Sequence, residues 1–153
     1  MPAIHEEELV PGLVVQLDTS RLRQLGNSRT NAEKTRSEDR AVIGPHSFVV
    51  VATNPEDRSA ILCPVFSQWA PGSLKLQEAK KSGFLNNWAS VELHFSKWQH
   101  WEIPYDDIIA CSDIENTQHG ARRHYAAENA ETLNSILRRM SRSPWIFVTA
   151  VPV

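Results

Sequence analysis

The sequence predicts a mostly β domain: a small, curved antiparallel sheet or barrel with one long helix near the C-terminus. Three observations lead there. Two apolar, β-branched runs, Phe48-Val49-Val50-Val51 and Ala60-Ile61-Leu62-Cys63, flank the turn formers Asn54-Pro55-Glu56-Asp57-Arg58. Further short apolar segments recur before and after this pair. Sustained helical periodicity is confined to the stretch 126–140.

The paired runs define the centre. Pro55 presets φ for the second turn position, and Asn54 can bond its own backbone two residues on. Two apolar runs across such a turn form an antiparallel hairpin, buried on at least one face. Upstream, residues 1–8 read as a frayed tail and Val10-Pro11-Gly12 as a breaker. Leu13-Val14-Val15-Gln16-Leu17 reads as a first strand ending at Asp18. Residues 26–40 are polar, charged and without periodicity, which predicts a long mobile loop, closed by Gly44-Pro45.

Downstream, 68–72 is another turn. Leu74, Gln77, Glu78 and Lys81 fall on helical spacings, so 74–81 is expected to be a short helix stopped by Ser82-Gly83. Residues 90–95 alternate with period two, placing Val91, Leu93 and Phe95 on one face and His94 on the polar phase. Asp107-Ile108-Ile109-Ala110-Cys111 reads as a short strand. Ala126, Ala130, Leu133, Leu137 and Met140 then form one helical stripe, with Glu128 and Glu131 early and Arg138 and Arg139 late. Ser141-Arg142-Ser143-Pro144 ends that helix, and 145–151 returns as a last strand.

A chain of 153 residues suits a single domain. Residues 9–111 are expected to form the barrel core, with the mobile loop within it, and 112–153 the C-terminal helix and final strand. No apolar run reaches membrane-spanning length, and no basic segment precedes an apolar run at the N-terminus. Cys63 and Cys111 both sit in apolar contexts and are expected to be buried free thiols, which points to a cytoplasmic location. The net charge of −2 argues against a generic basic nucleic-acid binder. Yet Arg21, Arg23, Arg29, Lys34, Arg36 and Arg40 crowd one segment, where they would suit phosphate.

Four segments also carry a family pattern. They are Pro11-Gly12-Leu13-Val14-Val15, the loop 18–45, Phe48-Val49-Val50-Val51-Ala52 and Ile61-Leu62-Cys63-Pro64-Val65-Phe66-Ser67. In this order they resemble the PemK/MazF family of toxin-like proteins, over about residues 10–111. The resemblance implies an SH3-like barrel, a homodimer, and a toxin–antitoxin-like endoribonuclease acting on single-stranded RNA. The family Arg at the start of the second strand falls near His46, and the family Thr or Ser at the end of the third strand falls on Ser67. Here His46-Ser47, preceded by Pro45, replaces the expected Arg-Pro pair.

Each candidate residue has a chemical and a plain reading. His46 can act as general base on a ribose 2′-hydroxyl, or be a polar strand end facing water. Ser67 can hydrogen-bond a phosphate oxygen, or serve ordinary turn chemistry. Arg40 and Arg36 can clamp phosphates, or simply solubilise a loop. His94 can be a second acid–base group, or lie on a solvated strand face. Trp69, Trp98 and Trp101, three of the five tryptophans, can stack bases or sugars, or cover the barrel ends and a subunit interface.

His94 and His100, and His119 and His124, have no close Cys or carboxylate at ligand spacing, so neither a metal nor a cofactor is expected. No P-loop, dinucleotide fingerprint or nucleophile elbow is present. Two functions stand: a domain that binds single-stranded RNA, with or without cleaving it and needing no metal, or a non-catalytic module that binds a protein or small ligand through a Trp-lined surface or acts mainly through oligomerisation. Neither involves a membrane.

Overall fold

The computed structural model describes residues 3–31, 42, 44–66, 73–75, 81–83, 94–96, 99–112, 122–125 and 148–150. Its strands, in chain order, are β1 (Leu13–Asp18), β2 (Arg29–Thr30), β3 (Pro45–Asn54), β4 (Ser59–Phe66), β5 (Ser73–Lys75), β6 (Lys81–Gly83), β7 (His94–Ser96), β8 (Trp101–Pro104), β9 (Arg122–Tyr125) and β10 (Val148–Thr149). Among the described residues, two helices, α1 (Thr19–Leu25) and α2 (Tyr105–Cys111), and one short 3-10 turn, Glu6–Glu8, accompany them.

The expected hairpin is the centre of the sheet. β3 and β4 run antiparallel with Phe48 opposite Pro64 and Val50 opposite Leu62, and a bulge shifts the register between Val50 and Ala52. Asn54 closes the turn: its Nδ2 donates to Asp57 Oδ2 at 2.9 Å, and the Asp57 amide donates to Asn54 Oδ1 at 3.3 Å. β1 flanks β3, with Val15 opposite Phe48 and Leu17 opposite His46. β8 flanks β4, with Leu62 opposite Trp101. The strand order is β10-β2-β8-β4-β3-β1-β9-β6, with β7 joined to β4 and β5 to β7; every pairing is antiparallel.

Directly opposed residues share a face. Leu13, Val15, Leu17, Phe48, Val50, Leu62, Trp101 and Ile103 thus form one core layer, completed by Ile4, Leu9, Leu22, Ile108 and Ala150. The alternate residues Val14, Val49, Val51, Cys63 and Val65 are buried too. Burial on both faces explains why these strands read as continuous apolar runs rather than as alternation.

Several expectations need correction. The N-terminus is docked: Ile4 is in the core and its amide donates to Ser112 Oγ at 3.0 Å. Within the expected loop, α1 ends at Gly26 and β2 follows. Asp18 Oδ1 caps α1 by accepting the Ser20 and Arg21 amides at 3.1 and 3.3 Å. Gly26, at φ +73°, closes it in the left-handed conformation that suits glycine. Thr30 is held by its hydroxyl, which donates to the His100 carbonyl at 2.8 Å. The rest of that loop, 32–40, lies outside the described residues.

The strand expected at 107–111 is helix α2. Tyr105, Ile108 and Cys111 recur every third residue and are buried together, while Asp106 and Asp107 favour its N-terminus. The short helix expected over 74–81 is bounded instead by strands: β5 holds Leu74, and β6 begins at Lys81. The final strand is present as β10, paired with β2. The long helix expected over 126–140 lies outside the described residues. Cys63 and Cys111 are free and buried, and burial pushes both thiols up, Cys111 to about 12. No described helix is long and apolar enough to cross a membrane.

Candidate functional site

His46 is the second residue of β3, on the core face of the sheet and at the end of the hairpin away from its turn. Extending the β3–β4 register two residues beyond Phe48 and Pro64 brings His46 opposite Phe66. Phe66 in turn lies opposite His94 of β7. Leu17, His46, Phe66 and His94 therefore form one row across β1, β3, β4 and β7. The His46 ring meets Phe66 edge-on, with centroids 5.1 Å apart and planes at 63°. On its inner side it meets Phe48 at 5.9 Å and 72°.

The bonding of His46 sets its chemistry. One ring nitrogen bonds the Val65 backbone, and Nε2 is buried without a hydrogen-bond partner among the described residues. Nδ1 is thus assigned as the donor to the Val65 carbonyl, which leaves the lone pair on Nε2. Burial pushes the His46 pKa below its ordinary value, and the Val65 bond offsets part of that. The ring is neutral near pH 7, with an acceptor nitrogen that nothing described satisfies. Buried polar atoms are nearly always bonded, so Nε2 is a candidate site atom, though not alone in this among the described residues: Ser28 Oγ and Asp107 Oδ2 are also buried and unbonded.

The other candidates are distributed unevenly. His94 shares the row, but it is not on a solvated face: it is 4% exposed because Phe66 and β7 bring it under the sheet. Trp101 is not a surface platform. It is fully buried, lies edge-on to Phe48 at 5.9 Å, and donates its indole N–H to Gln99 Oε1 at 3.0 Å. The Arg23 guanidinium covers its ring at 5.2 Å. Trp101 therefore backs His46 through Phe48 and has no face left for a base. Ser67, Arg40, Arg36, Trp69 and Trp98 lie outside the described residues.

Arg23, counted among the loop cations, is a core residue whose Nη2 donates to the Val42 carbonyl at 3.2 Å. The remaining arginines with described side chains are engaged as well. Arg21 donates to the Ala110 carbonyl at 2.9 Å, Arg29 pairs with Glu102 at 3.7 Å, and Arg58 pairs with Glu6 and Asp106.

Two contacts were not anticipated. Phe66 was an unremarked strand residue, and its meeting with His46 depends on pairing across the hairpin. Cys63 Sγ lies 3.3 Å from His100 Nδ1, and both residues are fully buried. With its thiol pushed up by burial, Cys63 is not an activated nucleophile. No group of three or more His, Cys, Asp or Glu among the described residues could hold a metal ion. A shallow cavity of about 120 Å³, between Thr53, Asn54, Asp57, Ser59 and Glu102, opens near the turn, at the opposite end of the hairpin from His46. Comparison with protein-family models, curated proteins and solved structures finds no match.

Proposed function

We propose that the chain is a PemK/MazF-like protein, on an SH3-like barrel, that binds and cleaves single-stranded RNA with His46 as general base. The observation that carries this reading is the His46 ring: neutral, held through Val65, with Nε2 buried and unbonded among the described residues. Once bound RNA opens access to the buried nitrogen, Nε2 takes the proton of a ribose 2′-hydroxyl. The 2′-oxygen then attacks the adjacent phosphorus, the bond from phosphorus to the 5′-oxygen breaks, and that oxygen takes a proton from water. The products are a 2′,3′-cyclic phosphate and a 5′-hydroxyl. Ser67 and Arg40 hold the phosphate, while Arg36, Trp69, Trp98 and His94 contact the rest of the RNA. The scheme needs no metal; the reading includes a homodimer, which the family resemblance implies, and a cytoplasmic location.

One observation favours a second reading, a non-catalytic module that binds a protein or small ligand. Every arginine with a described side chain is engaged within the fold, and Trp101 is withdrawn into the core. A titration of fluorescent single-stranded RNA at low and moderate salt, beside a gel for cleavage, separates the two. RNA binding should weaken by roughly 0.7 log units per log unit of salt for each phosphate contact, and Arg36→Ala with Arg40→Ala should lower that slope. No binding at low salt leaves the second reading. Binding without cleavage keeps RNA as partner and removes the nuclease.

A further inference from the structure

His46 has two aromatic neighbours with different duties. Phe48 is fully buried, faces Trp101 at 5.9 Å, and belongs to the core whether or not His46 is present. Phe66 sits at the end of β4, only partly buried and packed against that core. It is nonetheless the closer ring, at 5.1 Å against 5.9 Å. A large apolar side chain at a strand end is costly to leave half in water, and here its edge-on contact is with an imidazole.

We infer that Phe66 is a positioning residue for His46: its ring forms the outer wall of the imidazole, fixing the ring in the orientation that bonds Val65 and keeping water from Nε2. This rests on the reading of His46 as a base, because only a base gains from a fixed and dry lone pair. The surroundings supply no competing explanation. Among the described residues, the titratable group in the row of His46 is His94 on β7; Asp18, next to the row and opposite Pro45, is engaged as the α1 cap. Lys75 stands one strand further on, opposite His94. No charged group is among the causes that shift His46; burial is the largest.

The experiment is an NMR titration of the His46 ring in the full chain, comparing wild type with Phe66→Ala, Phe66→Leu and Phe66→Tyr. Wild-type His46 should titrate below 6.5 and hold its proton on Nδ1. Phe66→Ala should raise the midpoint by roughly half a unit or more, since partial desolvation is worth shifts of this order, and should mix the two tautomers. Phe66→Leu guards against a variant that does not fold; it should give a smaller rise, and Phe66→Tyr should restore the wild-type midpoint. A folded Ala or Leu variant that keeps both midpoint and tautomer overturns the inference. If the midpoint shifts as expected but wild type cleaves no RNA, the wall stands and the general-base reading falls.

Discussion

The two ends of the β3–β4 hairpin are built by opposite rules. At the turn, the side-chain contacts match polar groups with polar groups. Arg58 reaches Glu6 of the N-terminal turn and Asp106 of α2, lies over the Tyr105 ring at 5.8 Å, and accepts the Tyr105 amide on its carbonyl at 2.8 Å. These pairs are exposed, and the residue holds φ at +51°, a left-handed conformation that a side chain disfavours. At the other end, His46 keeps ordinary backbone geometry but buries a nitrogen that no described group satisfies. One end spends backbone strain on structural contacts. The other leaves a buried nitrogen with no partner among the described residues, which costs stability.

The largest expected effect sets the scale for both ends. Phe48→Ala should remove about 3–5 kcal/mol of stability in a urea titration, because it empties the core beneath Trp101. Phe66→Ala, at a partly buried strand end, should cost clearly less; equal losses would break the distinction between core and wall.

At the turn, strain and contact can be separated. Arg58→Ala loses the exposed ion pairs and keeps the strained φ, whereas Arg58→Gly loses the same pairs and relieves it. Exposed pairs are worth about 0–1 kcal/mol each, and the left-handed conformation costs roughly 1–2 kcal/mol. The glycine variant should therefore be the more stable of the two by about 1 kcal/mol, apart from the flexibility glycine adds to the unfolded chain. An alanine variant as stable as the glycine variant would show that φ carries no strain. Beside the His46 end, Asp18→Ala should cost about 1 kcal/mol by uncapping α1.

The smallest effect is the pH dependence contributed by His46. Its folded pKa lies below the unfolded value of 6.5, so the unfolded chain binds the extra proton first as pH falls. The contribution of this group to stability is full above the unfolded value, declines as pH falls through 6.5, and levels off below the folded value. His46→Gln should flatten that part of the stability profile, measured between pH 7.5 and 5, a working range around the unperturbed histidine pKa.

The sequence announced the hairpin because both faces of its strands are buried and its turn carries Asn54 and Pro55. The ends of α1 were written in Asp18 and Gly26, yet Arg21, Arg23 and Gln24 hid its buried face; that Arg23 turns inward depends on Trp101. Residues 107–111 were too short a run for strand and helix periods to differ. β2 has only two residues, and its place depends on β8 and β10. His46 was singled out through the family resemblance. Its isolation from water was not legible, because Phe66 is brought to it across the hairpin. His94 and Trp101 were misplaced for the same reason: a lone polar or aromatic residue shows no burial until its strand partners are known.

The most direct measurement is RNA cleavage by wild type and His46→Ala, with binding followed in the same samples. A general base acts in the transition state rather than in ground-state affinity. Cleavage should fall by about 10²–10⁴-fold, the usual contribution of positioned proton transfer, while RNA affinity stays nearly unchanged. A variant that cleaves as fast as wild type, or that loses affinity and cleavage in equal measure, would contradict the account.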